Sequence, residues 1–77
     1  MGKKKVSALS QELLDTFSAW EMNRNDGATR VDAVQIYYNC AEADVDKEGD
    51  VWIEGPMDGR WLTDRDKQNL IEWLHSN

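Results

Sequence analysis

The strongest constraint on the fold is a pair of apolar stripes at helical spacing, one near each end of the chain. Leu9, Leu13, Leu14, Phe17 and Trp20 recur mostly at intervals of three and four, which lines them along one side of a helix running from Ser7 to Met22. Ser7 or Ser10 can cap its free amides, and the run Asn23-Arg24-Asn25-Asp26-Gly27 ends it with turn residues that tolerate a left-handed stop. Toward the other end Thr63 precedes Asp64, Arg65 and Asp66, so a hydroxyl caps the helix and two aspartates sit on the positive end of its dipole. Leu70, Ile71 and Leu74 form its buried stripe, with Trp73 at the edge. Each stripe needs an apolar surface to cover it, and the expectation is that both helices lie on one side of a short antiparallel sheet.

The middle of the chain supplies the strands. Val34-Gln35-Ile36-Tyr37-Tyr38 is β-branched and aromatic, which favours a strand, although Thr29 with Asp32 three residues on could equally cap a helix from Arg30 to about Ala43. The strand is preferred, and it requires a bulge or break between Asn39 and Ala41, because the apolar parity switches there. Asp46-Lys47-Glu48-Gly49-Asp50 reads as a hairpin loop, a type I turn followed by a glycine able to take positive φ. The resulting register pairs Val45 with Val51 and Ala43 with Ile53 on one face, and Asp44 with Trp52 and Glu42 with Glu54 on the other. Residues Gly55 to Gly59 then turn the chain, and Trp61-Leu62 leads into the last helix. The fold class is therefore α+β, a single small domain in the order helix, two or three antiparallel strands, helix. Residues 1–6 form a basic N-terminus expected to be mobile, and residues 7–77 form the one domain, since 77 residues are too few for two cores.

Charge excludes whole classes of function. Fifteen acids against nine bases give −6, and three of the bases are Lys3, Lys4 and Lys5, so residues 6–77 carry six bases against fifteen acids, or −9. Such a body repels phosphate, which argues against direct nucleic-acid binding. A run of three lysines also falls short of the four to eight bases of a membrane-binding patch. The opening Met1 to Val6 resembles an N-myristoylation start, but Val6 stands where Ser or Thr is required. With no spanning run, no export-type apolar stretch and a single cysteine, Cys40, the expected location is the cytoplasm.

Nothing reads as catalytic. The one histidine, His75, lies three residues from the end, where a helix C-terminus explains it, and Cys40 lacks the second cysteine or nearby histidine of a metal site. The glycines are too dispersed for a phosphate loop. Asp44, Asp46, Glu48, Gly49 and Asp50 fall on positions one, three, five, six and seven of an EF-hand loop, yet the twelfth position, which should be a bidentate glutamate, is Gly55. No cofactor and no metal are expected, and the protein is not read as an enzyme.

What remains is an acidic surface. Between Glu42 and Asp58 seven acids face the single base Lys47. Trp52 falls on the acidic face of the hairpin, where an exposed tryptophan would anchor a partner; Trp73 is also expected to be exposed, and Trp20 and Trp61 to be core. The candidate partner-binding residues are Glu42, Asp44, Asp46, Glu48, Asp50, Trp52, Glu54 and Asp58. Like charges packed into one hairpin repel, so neutralising Asp44, Asp46, Glu48 and Asp50 is expected to leave the fold intact or relieve it. The partner such a face fits is the basic surface of a nucleic-acid-binding protein. Mimicry of DNA is limited by spacing: duplex DNA carries a charge about every 3.4 Å per strand, whereas alternate strand residues stand about 6.7 Å apart, so two rows plus Asp64 and Asp66 would be needed.

In size, acidity, single cysteine and absence of an active site the chain resembles small phage or mobile-element proteins that disable host nucleic-acid machinery, including anti-CRISPR and antirestriction proteins. The resemblance is one of general character and transfers no residue role. It implies a stoichiometric protein-binding inhibitor. An antitoxin or immunity protein for a cognate toxin, and a structural subunit that forms a homodimer or larger homo-oligomer, are the alternatives.

Overall fold

The computed structural model describes residues 6–55 and 58–77. The basic run Lys3 to Lys5 lies outside them, as do Pro56 and Met57 from the segment expected to turn the chain. The described chain forms a small α+β domain with helices α1 (Ala8–Met22), α2 (Arg30–Tyr38) and α3 (Asp64–Ser76) and strands β1 (Glu42–Val45), β2 (Val51–Glu54) and β3 (Gly59–Trp61). The strands make one antiparallel sheet in the order β1-β2-β3.

Capping chemistry sets the helix starts. Ser7 caps α1 by accepting from the Ser10 amide. Thr63 opens α3 through a capping box, in which its own amide donates to Asp66 Oδ2 at 2.9 Å and its hydroxyl accepts from the Asp66 amide. The apolar stripes behave as their spacing requires: Leu13, Phe17 and Trp20 from α1 and Leu70, Ile71 and Leu74 from α3 are all buried in one core.

Residues 30–38 are helical, which corrects the strand expected over 34–38. Two causes override β-propensity. Thr29 and Asp32 form a complete capping box, with the Thr29 amide donating to Asp32 Oδ2 at 2.8 Å. Helical spacing also puts Ala33 and Val34 on the same side as Tyr37 and Tyr38, one turn on, and all four pack into or against the core. Ile36, which suggested a strand face together with Val34 and Tyr38, is instead 57% exposed. The helix stops at Asn39, whose φ of 51° is left-handed, so the parity switch is absorbed by a helix end and not by a bulge.

The third strand is β3, not the Val34–Tyr38 segment. Its pairing with β2 places Trp61 opposite Trp52 and Arg60 opposite Ile53. Within the body α1 runs along α3, and α2 comes nearest to β1 and β2. Val51 and Ile53 on the inner face of β2 join the helical core.

Candidate functional site

The hairpin has the register expected from its sequence, Glu42 opposite Glu54, Ala43 opposite Ile53, Asp44 opposite Trp52 and Val45 opposite Val51. Gly49 takes φ 89° in the loop, as the turn needs. Alternation then divides the side chains: Val51 and Ile53 turn to the core, while Glu42, Asp44 and Glu54 are exposed on the other face. Adding β3 extends that outer face into two cross-strand rows, Asp44, Trp52 and Trp61 in one and Glu42, Glu54 and Gly59 in the next.

Trp61 belongs to this outer face, not to the core, and is 55% exposed. Its pairing opposite Trp52 is the cause, since residues opposed across a ladder share a face. The two indoles meet edge to face, with ring centroids 5.2 Å apart and planes at 69°. Trp52 is half-buried beneath this contact. Its ring lies across Gly59, where an added Cβ would overlap it, and its Nε1 donates to Glu54 Oε1 at 3.3 Å. Trp73, expected to be exposed, is half-buried beside Tyr37 at 5.4 Å between centroids.

The eight candidate residues do not form one site. Glu42, Asp44, Trp52 and Glu54 share the outer face; among the described residues no basic side chain forms an ion pair with any of the three carboxylates. Asp46 and Asp50 do internal work. Asp46 Oδ1 accepts from the amides of Glu48 and Asp50, both at 2.9 Å, and so holds the loop shut. Asp50 Oδ1 accepts from Lys67 Nζ at 3.0 Å, and that ammonium also donates to Ser10 Oγ at 3.0 Å. Lys67 is only 5% exposed, so its charge is balanced inside the domain. These contacts pin the hairpin loop to the first turns of α1 and α3. They correct the expectation that the loop acids are dispensable to the fold, because removing Asp50 takes away the carboxylate that ion-pairs with a buried cation. Glu48 has an interaction of its own, and Asp58 is exposed in the β2–β3 turn, where its carbonyl accepts from Gly55.

Asp66 is likewise committed. Arg60 donates to it at 2.7 Å while it closes the α3 capping box, and these contacts hold its carboxyl below the ordinary aspartate value. A charge row continuing from the sheet through Asp64 and Asp66 therefore loses Asp66. The carboxylate oxygens of Asp46, Glu48 and Asp50 come within 4.8 Å of one another, the geometry a cation would use. The Lys67 ammonium already supplies a positive charge to that group.

The sequence offered signals for some of what was missed. A lysine at the i+4 position from Thr63, on the same side of α3 as Leu70, Ile71 and Leu74, is the mark of a charge carried inward and in need of a partner. No family model, curated protein or solved structure matches the chain. Among the described residues no helix is long and apolar enough to cross a membrane.

Proposed function

We propose that the protein is a stoichiometric binding protein whose outer sheet face docks on a basic surface of a nucleic-acid-binding protein in the cytoplasm and blocks it, in the manner of the inhibitors that phages and mobile elements direct at host machinery. One observation carries this reading. Three carboxylates without an ionic partner among the described residues, Glu42, Asp44 and Glu54, stand exposed on one sheet face around an exposed tryptophan. Acids placed opposite one another in a ladder destabilise it, so a face that concentrates them is best explained by a cation that arrives from outside. The body charge of −9 steers such a partner in and keeps nucleic acid away.

Self-association through this face is disfavoured by the same charges, since a two-fold contact would bring the three carboxylates of one copy against those of the other. A toxin partner would use the same face and the same chemistry, and would differ in being a dedicated enzyme encoded beside this chain.

The test is binding kinetics against a basic protein retained from cell extract by the immobilised chain. The variant carrying Glu42→Gln, Asp44→Asn and Glu54→Gln should associate about tenfold more slowly than the parent at low salt, with the gap closing as salt screens it. Trp61→Ala should act on the dissociation rate instead. Equal association rates at both ionic strengths would reduce the acidic face to a solvated surface and defeat the proposal.

A further inference from the structure

Resting on that reading of the outer face, we infer that the group it receives is arginine in preference to lysine: a guanidinium that lies against the exposed indole of Trp61 and forks onto Glu54. Three features of the face select a planar cation. Trp61 offers a solvated ring held at a fixed tilt by its edge-to-face contact with Trp52. Glu54 is the diagonal neighbour of Trp61 across the β2–β3 ladder, a separation of about 7–8 Å that one guanidinium spans when stacked. Its carboxylate is already oriented by Trp52 Nε1 at 3.3 Å, and Glu42 stands directly opposite with no described cation to neutralise it.

An ammonium gains little from this arrangement. It is strongly hydrated and acts as a point charge, so contact with the indole and contact with the carboxylate compete for it. A guanidinium is weakly hydrated, stacks through its plane and forms two parallel hydrogen bonds from its edge, so it satisfies both groups at once. The chain itself holds one example of the geometry: Arg24 lies 4.6 Å from the Trp20 ring centroid while donating to Asp26 at 2.8 Å. There a guanidinium serves an aromatic face and a carboxylate together, the combination proposed for Trp61 and Glu54.

The experiment uses two peptides of equal charge, alternating arginine and glycine or alternating lysine and glycine, four bases each, titrated into the full chain at low salt. Indole N–H resonances report the site and calorimetry the affinity. The arginine peptide should bind about threefold or more tighter, the range expected for one exposed cation–π contact, and should shift Trp52 and Trp61. Trp61→Ala should bring its affinity down to that of the lysine peptide, and Glu54→Gln should weaken arginine more than lysine; both positions are exposed, and thermal melts confirm that each variant is folded. Equal affinities in the parent, a preference that survives Trp61→Ala, or shifts confined to other residues would overturn the arginine assignment while leaving the charge reading in place. Failure of both peptides to bind would overturn the two together.

Discussion

Asp50→Asn is the substitution that most sharply separates a supporting acid from a displayed one. The change keeps the shape of the side chain and removes its charge. Lys67 is 5% exposed and its Nζ reaches Asp50 and Ser10 at 3.0 Å each, so the variant replaces the carboxylate in direct contact with a buried ammonium by a neutral amide. Breaking a fully buried pair costs about 3–5 kcal/mol. The Asp50 side chain is 34% exposed, so water shares the compensation, and a loss of about 2 kcal/mol, typical of a charged hydrogen bond, is expected. In a domain of this size that lowers Tm by about 8–16 °C. Lys67→Met removes the buried charge while keeping the apolar stem, and the double variant isolates the pair: Asp50→Asn should cost at least about 1 kcal/mol less when Lys67 is already Met. Thermal and urea unfolding of the four proteins at pH 7 supplies the cycle. Additivity of the two single changes within about 0.3 kcal/mol would refute the claim that this pair pins the hairpin to the helices.

Gly49→Ala should destabilise by more than about 2 kcal/mol in the same unfolding assay, because φ is 89° and the new Cβ would sit 2.7 Å from the Ser10 carbonyl oxygen and 2.8 Å from its Cβ. Gly59→Ala should displace the Trp52 ring that covers it and red-shift the tryptophan emission, with a smaller loss of stability. Stability should fall on both sides of neutrality. Glu21, Asp26 and Asp66 are held below their ordinary values by Arg30, Arg24 and Arg60, Asp26 at about 2, so the fold loses their contribution as pH drops through about 4 and below. Burial pushes the Tyr38 hydroxyl up to about 12, so the unfolded chain releases that proton first and stability declines as pH rises from about 10 to about 12. Urea midpoints across pH check both limbs, and Arg30→Gln should flatten the acid one. Calcium should bind no tighter than millimolar in calorimetry, since Gly55 occupies the position of the bidentate twelfth ligand.

Local signals were legible where one interaction decides the structure. Ser7 and Thr63 mark the starts of α1 and α3, and the alternation around Gly49 fixes the hairpin register residue for residue. Over residues 30–38 two local signals conflict: Val34, Ile36 and Tyr38 alternate like a strand, whereas Thr29 and Asp32 cap a helix. The deciding term is tertiary. Burying Ala33 and Val34 with Tyr37 and Tyr38 alongside outweighs a propensity penalty of at most about 0.7 kcal/mol per residue. The outward orientation of Trp61 is hidden for a related reason, as a three-residue strand is too short to show alternation, and only its pairing with β2 reveals which way the indole faces. The Lys67 contacts join residues 57 and 17 positions apart, a separation no window along the chain can see.

The division of the acids bears on how charge can serve binding in so small a domain. Seven acids in seventeen residues would oppose a fold with only about 3–5 kcal/mol to spare if all were displayed alike. Asp46 and Asp50 escape that conflict by facing backbone amides and a buried lysine, so part of the hairpin's charge stabilises the loop that carries the rest. Glu42, Asp44 and Glu54 stay on a face whose two flanking elements, the docked loop at one end and the Trp52–Gly59 contact at the other, are held by packing. Their repulsion is thus set against packing and ion-pair contacts at both ends of the face. A like-charged face held by such contacts favours an external cation, because on binding it gains the attraction and loses the repulsion, and a face already ordered has less freedom to give up.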